Sequence, residues 1–293
     1  MTREETASRR AGGGAGAGAA AGARSGDGAA ASPRGTWPLA FPAVVAVLFL
    51  LLPLVGLLLR TPWADLPRLL VDAQALTALR LSLVTATIAT AVSFALGVPL
   101  AWMLARARLP GVSLLRALVT LPLVLPPVVG GLALLLTLGR QGFVGRRLEE
   151  WFGFTVPFST AAVVVAETFV AMPFLVVTVE GAIRAADRGL EEAAATLGAG
   201  PLTTFRRVTL PLVAPSLAAG AVLCWARALG EFGATITFAG SLPGVTQTMP
   251  ITVYYALETD PDAAIAISLV LLGVSVAVLA LLRDRWLRPG GAA

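Results

Sequence analysis

The chain has 293 residues, 57% of them hydrophobic and only 13% charged, and its mean hydropathy is +0.82. That balance is too apolar for a water-soluble surface of this length, so a bilayer is the natural solvent. The formal net charge of +5 comes from arginine without any lysine, and basic residues scattered between apolar runs give a nucleic-acid partner little support.

Residues 1–37 form a low-complexity tail of Gly and Ala with scattered charge. Such a segment cannot bury a core, and disorder is expected there. Arg9 and Arg10 lie too far ahead of the first apolar run to act as a twin-arginine export signal. A helix needs about 20 apolar residues to cross a hydrocarbon core of roughly 30 Å. Six runs meet this: Leu39–Leu59, Leu81–Leu104, Ala117–Leu138, Val156–Val179, Val208–Phe238 and Ala263–Leu282. They are long and continuous rather than short and alternating, which predicts an all-α membrane protein of six transmembrane helices and not a barrel. The membrane domain is read as 38–288, with a short tail at 289–293. The first run is followed by "RTPWAD", which has no small-x-small cleavage pattern, so it is read as a retained anchor.

The second run carries Ser82, Thr85 and Thr87, hydroxyls that can bind a tetrahedral dianion without holding it tightly or can serve as interhelical hydrogen bonds. In the third run, "LPLVLPPVVGG", Pro122, Pro126 and Pro127 remove helix donors while Gly130 and Gly131 permit close backbone approach. Two readings follow, an ordinary kinked helix or a broken helix whose freed backbone groups line a water-filled path. Glu167 and Glu180 are lone acids in or near the fourth run, read as packing or helix-end residues ahead of proton relays.

Next comes "EEAAATLGAGPLTTFRRVTLPL", Glu191–Leu212, a polar, helix-prone stretch between two apolar runs. Acids at its start with Arg206 and Arg207 near its end suit a helix dipole, and Gly198 with "GAGP" divides it into two short helices. Leu197, Leu202 and Phe205 make it too apolar for a mere solvated connector. In the fifth run Arg227 and Glu231 stand four apart and can pair on one helix face; Arg227 alternatively attracts an oxyanion. Thr235 and Thr237 add further hydroxyls. The stretch "GSLPGVTQTMPITVYYALETDPD" is turn-rich, places Tyr254 and Tyr255 at a membrane interface, and offers Glu258, Asp260 and Asp262 to basic residues of a partner on the outer face.

Orientation follows from the arginines. With the N-terminus inside, five before the first run join Arg106, Arg108, Arg116, Arg184, Arg188, Arg206, Arg207, Arg283, Arg285 and Arg288 on the cytoplasmic side. Only Arg60, Arg68, Arg80, Arg140, Arg146 and Arg147 fall outside, so both termini are read as cytoplasmic in a multi-pass inner-membrane protein.

The spacing Glu192-Ala193-Ala194, three residues, Gly198, nine residues, Val208, one residue, Leu210-Pro211 resembles the EAA loop of ABC-importer permeases, E-A-A-x3-G-x9-I-x-L-P, with Val in place of Ile. Leu121–Gly153 and Ala226–Pro250 are similar to segments of molybdate ABC transporter permeases. The likeness runs from about the second run to the end, so the first run looks like an added one. The resemblance implies a type I ABC-importer permease fold with cytoplasmic coupling helices at about 187–210, in which Glu191, Glu192, Ala193, Ala194, Gly198, Leu210 and Pro211 engage an ATPase. It implies a second copy of the chain, a pair of ABC ATPase subunits that use ATP and Mg, and an extracytoplasmic binding protein delivering molybdate or tungstate. This chain would bind no cofactor or metal and carry no catalytic residue. Arg227, Glu231, Thr235, Thr237, Ser82, Thr85, Pro126 and Pro127 are the candidates for the translocation path.

Two other readings stay open: a sulfate or thiosulfate ABC permease, and an autonomous ion-coupled carrier or intramembrane enzyme. Against the last, the chain has no His, a lone Cys224, no G-x4-G-K-[ST] phosphate loop and no G-x-S-x-G.

Overall fold

A computed structural model describes residues 37–107 and 110–286; the tail expected to be disordered before Trp37 and the tail at 289–293 lie outside the described residues. Among the described residues every regular element is helical. The chain divides into two units, Met1–Leu52 and Pro53–Ala293. The first holds most of α1 (Trp37–Arg60), a continuous apolar helix long enough to cross a membrane. All packing described below lies within the second.

After the short α2 (Leu66–Leu70), α3 runs from Ala73 to Arg106. It starts earlier than the expected Leu81 because Asp72 caps it, its carboxylate accepting from the Gln74 and Ala75 amides at 2.9 and 3.0 Å. At about 1.5 Å per residue its 34 residues reach about 50 Å, well beyond a bilayer core. The third apolar run is a broken helix, not an ordinary kinked one. α4 (Val112–Val124) and α5 (Pro127–Leu138) meet at a bend of 115°, with Leu125 extended at ψ 130° ahead of Pro126. A residue before proline avoids the helical region, and two prolines in succession complete the break. A short α6 (Gly145–Phe152) precedes α7 (Thr160–Ala185), which starts and ends a few residues later than expected.

The polar stretch folds as α8 (Arg188–Thr196) and α9 (Pro201–Thr204), the two short helices its sequence predicts, and continues through a π-turn (Phe205–Thr209) into α10 (Leu210–Leu229). The fifth run does not continue to Phe238 as one helix. It stops at Leu229 and resumes as α11 (Gly233–Phe238). The stretch expected to be a turn-rich outer loop is corrected in two ways. Residues 249–259 form α12 (Met249–Thr259), and the segment ahead of it turns inward, so that Thr246, Gln247, Thr248 and Met249 are buried. The Met249 amide donates to Ser82 Oγ at 2.8 Å, tying this segment to α3. α13 (Pro261–Trp286) completes the order.

α7 is the most enclosed of the long helices in this unit, packed between α3 and α10. Lipid tails are as apolar as leucine, so helices here associate by close packing rather than by escape from water. Small residues provide it: Ala86, Ala89 and Ala101 of α3 and Ala171 of α7 join the central core, Gly97 faces Val176 and Met172, and Gly220 of α10 faces Leu175 and Thr178. A second cluster joins α5, α7 and α11 around Val163, Val170 and Phe238. A third joins α3, α12 and α13 around Ala78, Met249 and Ile267.

α5 and α11, each the later piece of a broken run, approach each other closely. A Cβ at Gly131 of α5 would stand 2.7 Å from the Ala234 carbonyl oxygen and 2.9 Å from Ala234 Cα, both backbone atoms of α11. Gly131→Ala is therefore expected to lose about 1–3 kcal/mol of stability through overpacking. Gly181→Ala, on an exposed part of α7 with nothing within 4 Å, should gain about 0.5–1 kcal/mol by helix propensity. Thermal unfolding of the two variants in the same detergent checks the contrast, and equal midpoints would refute it.

Candidate functional site

The polar segment is shaped by three local rules. Asp187 caps α8, accepting from the Gly189 amide at 2.8 Å. Gly198 ends it in the left-handed conformation, φ +84°, with the Gly198 amide bonded to the Ala195 carbonyl and the Ala199 amide to that of Ala194, a Schellman closure that favours glycine at this position. Pro201 then opens α9, where its missing amide hydrogen costs nothing. The π-turn follows just ahead of Pro211, whose ring excludes the carbonyl four residues back and so favours a widened turn.

These rules sort the side chains by direction. Glu192, Ala193, Gly198, Arg206, Arg207 and Pro211 are exposed, and Ala194 and Leu210 are half-buried. Leu197 is 88% exposed and Leu202 also lies open, so the outer side of the segment is apolar at its centre and charged at its margin. Glu191 faces the other way. Its carboxylate meets Arg106 Nε at 2.9 Å and Nη2 at 3.2 Å and accepts from the buried Thr209 hydroxyl at 2.8 Å. Arg106 is the last residue of α3, and one turn earlier Trp102 packs edge-on against Phe205 of the π-turn with ring centroids 5.8 Å apart.

Beside this junction Glu180 of α7 accepts from Arg116 of α4 at 2.8 Å and from Arg184 at 2.9 Å. Both guanidinium groups also donate to the Leu104 carbonyl, at 3.3 and 3.2 Å, one of the carbonyls that the end of α3 leaves without a helical partner. Glu180 is thus not a lone acid. It orders two arginines around a helix terminus.

The second cluster lies at the break between α10 and α11. Glu231, 1% exposed, accepts from the Ala234 amide at 2.7 Å and pairs with Arg227 Nη1 at 2.7 Å, so the i,i+4 pair expected from spacing exists and also caps α11. Thr235 of α11 is fully buried and its hydroxyl has no partner, whereas Thr237 donates to the Gly233 carbonyl. Gly233 lies against Pro127 and Val128, which brings the two broken helices together; Pro126, the cap residue of α5, is exposed. Nearby on α3, Ser82 holds the Met249 amide and Thr85 donates to Glu167 of α7 at 2.9 Å. Thr87 instead faces outward, bonding its own helix and accepting from Trp225 Nε1 at 3.2 Å. Sequence reasoning missed Thr209, and it took Arg106, Arg116 and Arg184 for topology charges only. Of these, only the i,i+4 spacing of Glu180 and Arg184 was visible along the chain.

Residues 97–289 match the family described as binding-protein-dependent transport system inner membrane component. The chain is 51% identical over 238 residues to the molybdenum transport system permease protein ModB of Mycobacterium bovis, covering 81% of this chain and 90% of that one. It is 37% identical over 251 residues to the sulfate transport system permease protein CysT of Salmonella typhimurium, covering 84% and 90%. Among solved structures it resembles a bacterial ABC transporter involved in the import of alginate, with a TM-score of 0.67 at 18% identity over 85% of this chain and 92% of that one, a likeness of fold.

The geometry at Glu231 generates a stability test. Glu231→Ala leaves Arg227 and the Ala234 amide without their partner and is expected to destabilise the protein by about 3 kcal/mol. The double variant Arg227→Met/Glu231→Met, which strands no charge, should lose less. Unfolding in detergent measures both, and a double variant less stable than the single one would refute the pairing argument.

Proposed function

The chain belongs to the family of binding-protein-dependent transport system inner membrane components, and from that premise we propose that it is the permease subunit of an ATP-driven importer of molybdate. As a family member with five to six helices among the described residues long and apolar enough to cross a membrane, it is a multi-pass inner-membrane protein, and it is a transport component rather than an enzyme. The observation that carries the substrate is the 51% identity to a molybdenum permease across nearly its whole length, against 37% to a sulfate permease.

In this reading α8, α9 and the π-turn form the cytoplasmic surface that an ATPase subunit grips, with Leu197 and Leu202 as its apolar centre. Glu192, Ala193, Ala194 and Gly198 shape that surface, and Leu210 and Pro211 set its junction with α10. The excess of arginine at this end supports its cytoplasmic placement and that of both termini. An extracytoplasmic binding protein delivers the oxyanion at the opposite end, a second copy completes the pore, and ATP and Mg are used by the ATPase subunits alone. The path runs beside the two broken helices, where Thr235 offers an unengaged hydroxyl. Ser82, Thr85, Thr237, Pro126, Pro127 and the Arg227–Glu231 pair complete its surroundings. Hydroxyls and a neutralised arginine bind a dianion weakly, as a conduit that must release its cargo requires.

The complex of this chain with its ATPase and binding protein, reconstituted in liposomes, should take up molybdate only with ATP and continue to do so in a large excess of sulfate. Uptake abolished by sulfate would move the chain to sulfate transport, and uptake without ATP would defeat the importer reading. Gly198→Leu places a side chain in the left-handed region and Glu192→Lys reverses an exposed charge. Both should cut uptake while membrane insertion persists, and normal uptake in both would refute the role of this surface.

A further inference from the structure

Resting on the importer reading, we propose that Glu191, Arg106 and Thr209 form the linkage that carries movement of the ATPase-facing segment into the transmembrane core, with α3 as the receiving element. Adjacent residues of α8 divide two tasks: Glu192 is exposed, while Glu191 turns inward, its side chain 17% exposed and that of Arg106 9%. The attachment is ionic and directional. Arg106 Nη2 donates to one oxygen of the carboxylate, Thr209 donates to the same oxygen, and Nε stands 2.9 Å from the other as an ion pair.

The attachment has a second point one turn along the same face of α3, where Trp102 meets Phe205. Two fixed points separated by a helical turn resist rotation as well as separation, so a tilt of the α8–α9 segment turns the end of α3 with it. That end is in turn bound to α4 and α7, because Arg116 and Arg184 clasp the Leu104 carbonyl two residues before Arg106 and share Glu180. α3 passes its length against α7 and carries Ser82 and Thr85 in the polar cluster beside the broken helices. A continuous set of contacts therefore runs from the exposed segment to the candidate path. Arg106 and Glu191 are positioning residues in this scheme, since neither contacts the transported ion or ATP.

The test uses the whole reconstituted complex and reads molybdate taken up per ATP hydrolysed, at equal amounts of assembled complex. Glu191→Gln should lower that ratio about tenfold, inside the 5–150-fold range that coupling between sites spans, while the ATPase stays bound. Thr209→Val should lower it less, and the exchange Glu191→Arg/Arg106→Glu should recover part of it by restoring the pair in reverse. A merely structural role would reduce assembly or thermal stability and leave the ratio unchanged. An unchanged ratio in Glu191→Gln overturns the linkage, as does a loss explained wholly by a dissociated ATPase. Absence of ATP-dependent uptake by the unaltered complex overturns the importer reading, and the linkage with it.

Discussion

A helix that stops inside an apolar protein leaves backbone groups that neither solvent nor the next turn can satisfy, and in a membrane that deficit is severe. Two of the buried carboxylates, Glu180 and Glu231, together with the arginines they hold, answer it. Arg116 and Arg184 take up a carbonyl at the end of α3, and Glu180 pairs with both. Glu231 takes up an amide at the start of α11, and Arg227 neutralises it in turn. Ionic groups are costly in this setting and are stabilised by pairing, so each pair fixes where a helix may end. The bent and interrupted helices depend on that arrangement.

Once helices may end inside, small residues determine how closely the pieces fit. Gly131 and Gly233 let α5 and α11 touch backbone to backbone, while Gly97 and Gly220 let α3 and α10 both close on α7 around Leu175. The result couples a well-packed helical centre to two short elements: α11, whose start is held by the Glu231 side chain, and α5, which starts at a proline pair without a side-chain cap. Such short elements reorient at lower cost than a full span does. In the proposed importer, the position of Thr235 within α11 and of the Arg227–Glu231 pair at its start suits these elements to line the path.

The spans were legible because about 20 consecutive apolar residues have few other uses, and the division of the polar segment was legible because Gly198 and Pro201 each force a local conformation. The pairing of Arg227 with Glu231 could be read from a spacing of four. Other features had no such signature. The early start of α3 falls outside the continuous apolar run because Gln74, Thr77 and Arg80 interrupt it, and Asp72 caps it there. The break after Leu229 lies inside an apolar run, and it is Glu231 folding back on Ala234 that makes it. Residues 249–259 looked like a loop because Pro250 and turn-forming neighbours surround them, yet proline is well tolerated in a first helical turn. The contact of Arg106 with Glu191 joins positions 85 apart, and only the folded arrangement brings them together.

The π-turn has a consequence for how this protein can change over time. It accommodates one residue more than an ordinary helical turn, and with that surplus Thr209 faces Glu191 while Arg206 and Arg207 face outward. Deleting a single residue there would convert it to a regular turn that leaves the flanking helix close to its present rotation, but it would remove the surplus that turns Thr209 toward Glu191. Substitutions that keep the count are far milder. The number of residues between Gly198 and Pro211 therefore matters to the Glu191–Thr209 contact independently of their types, because the widened turn sets which of them faces inward.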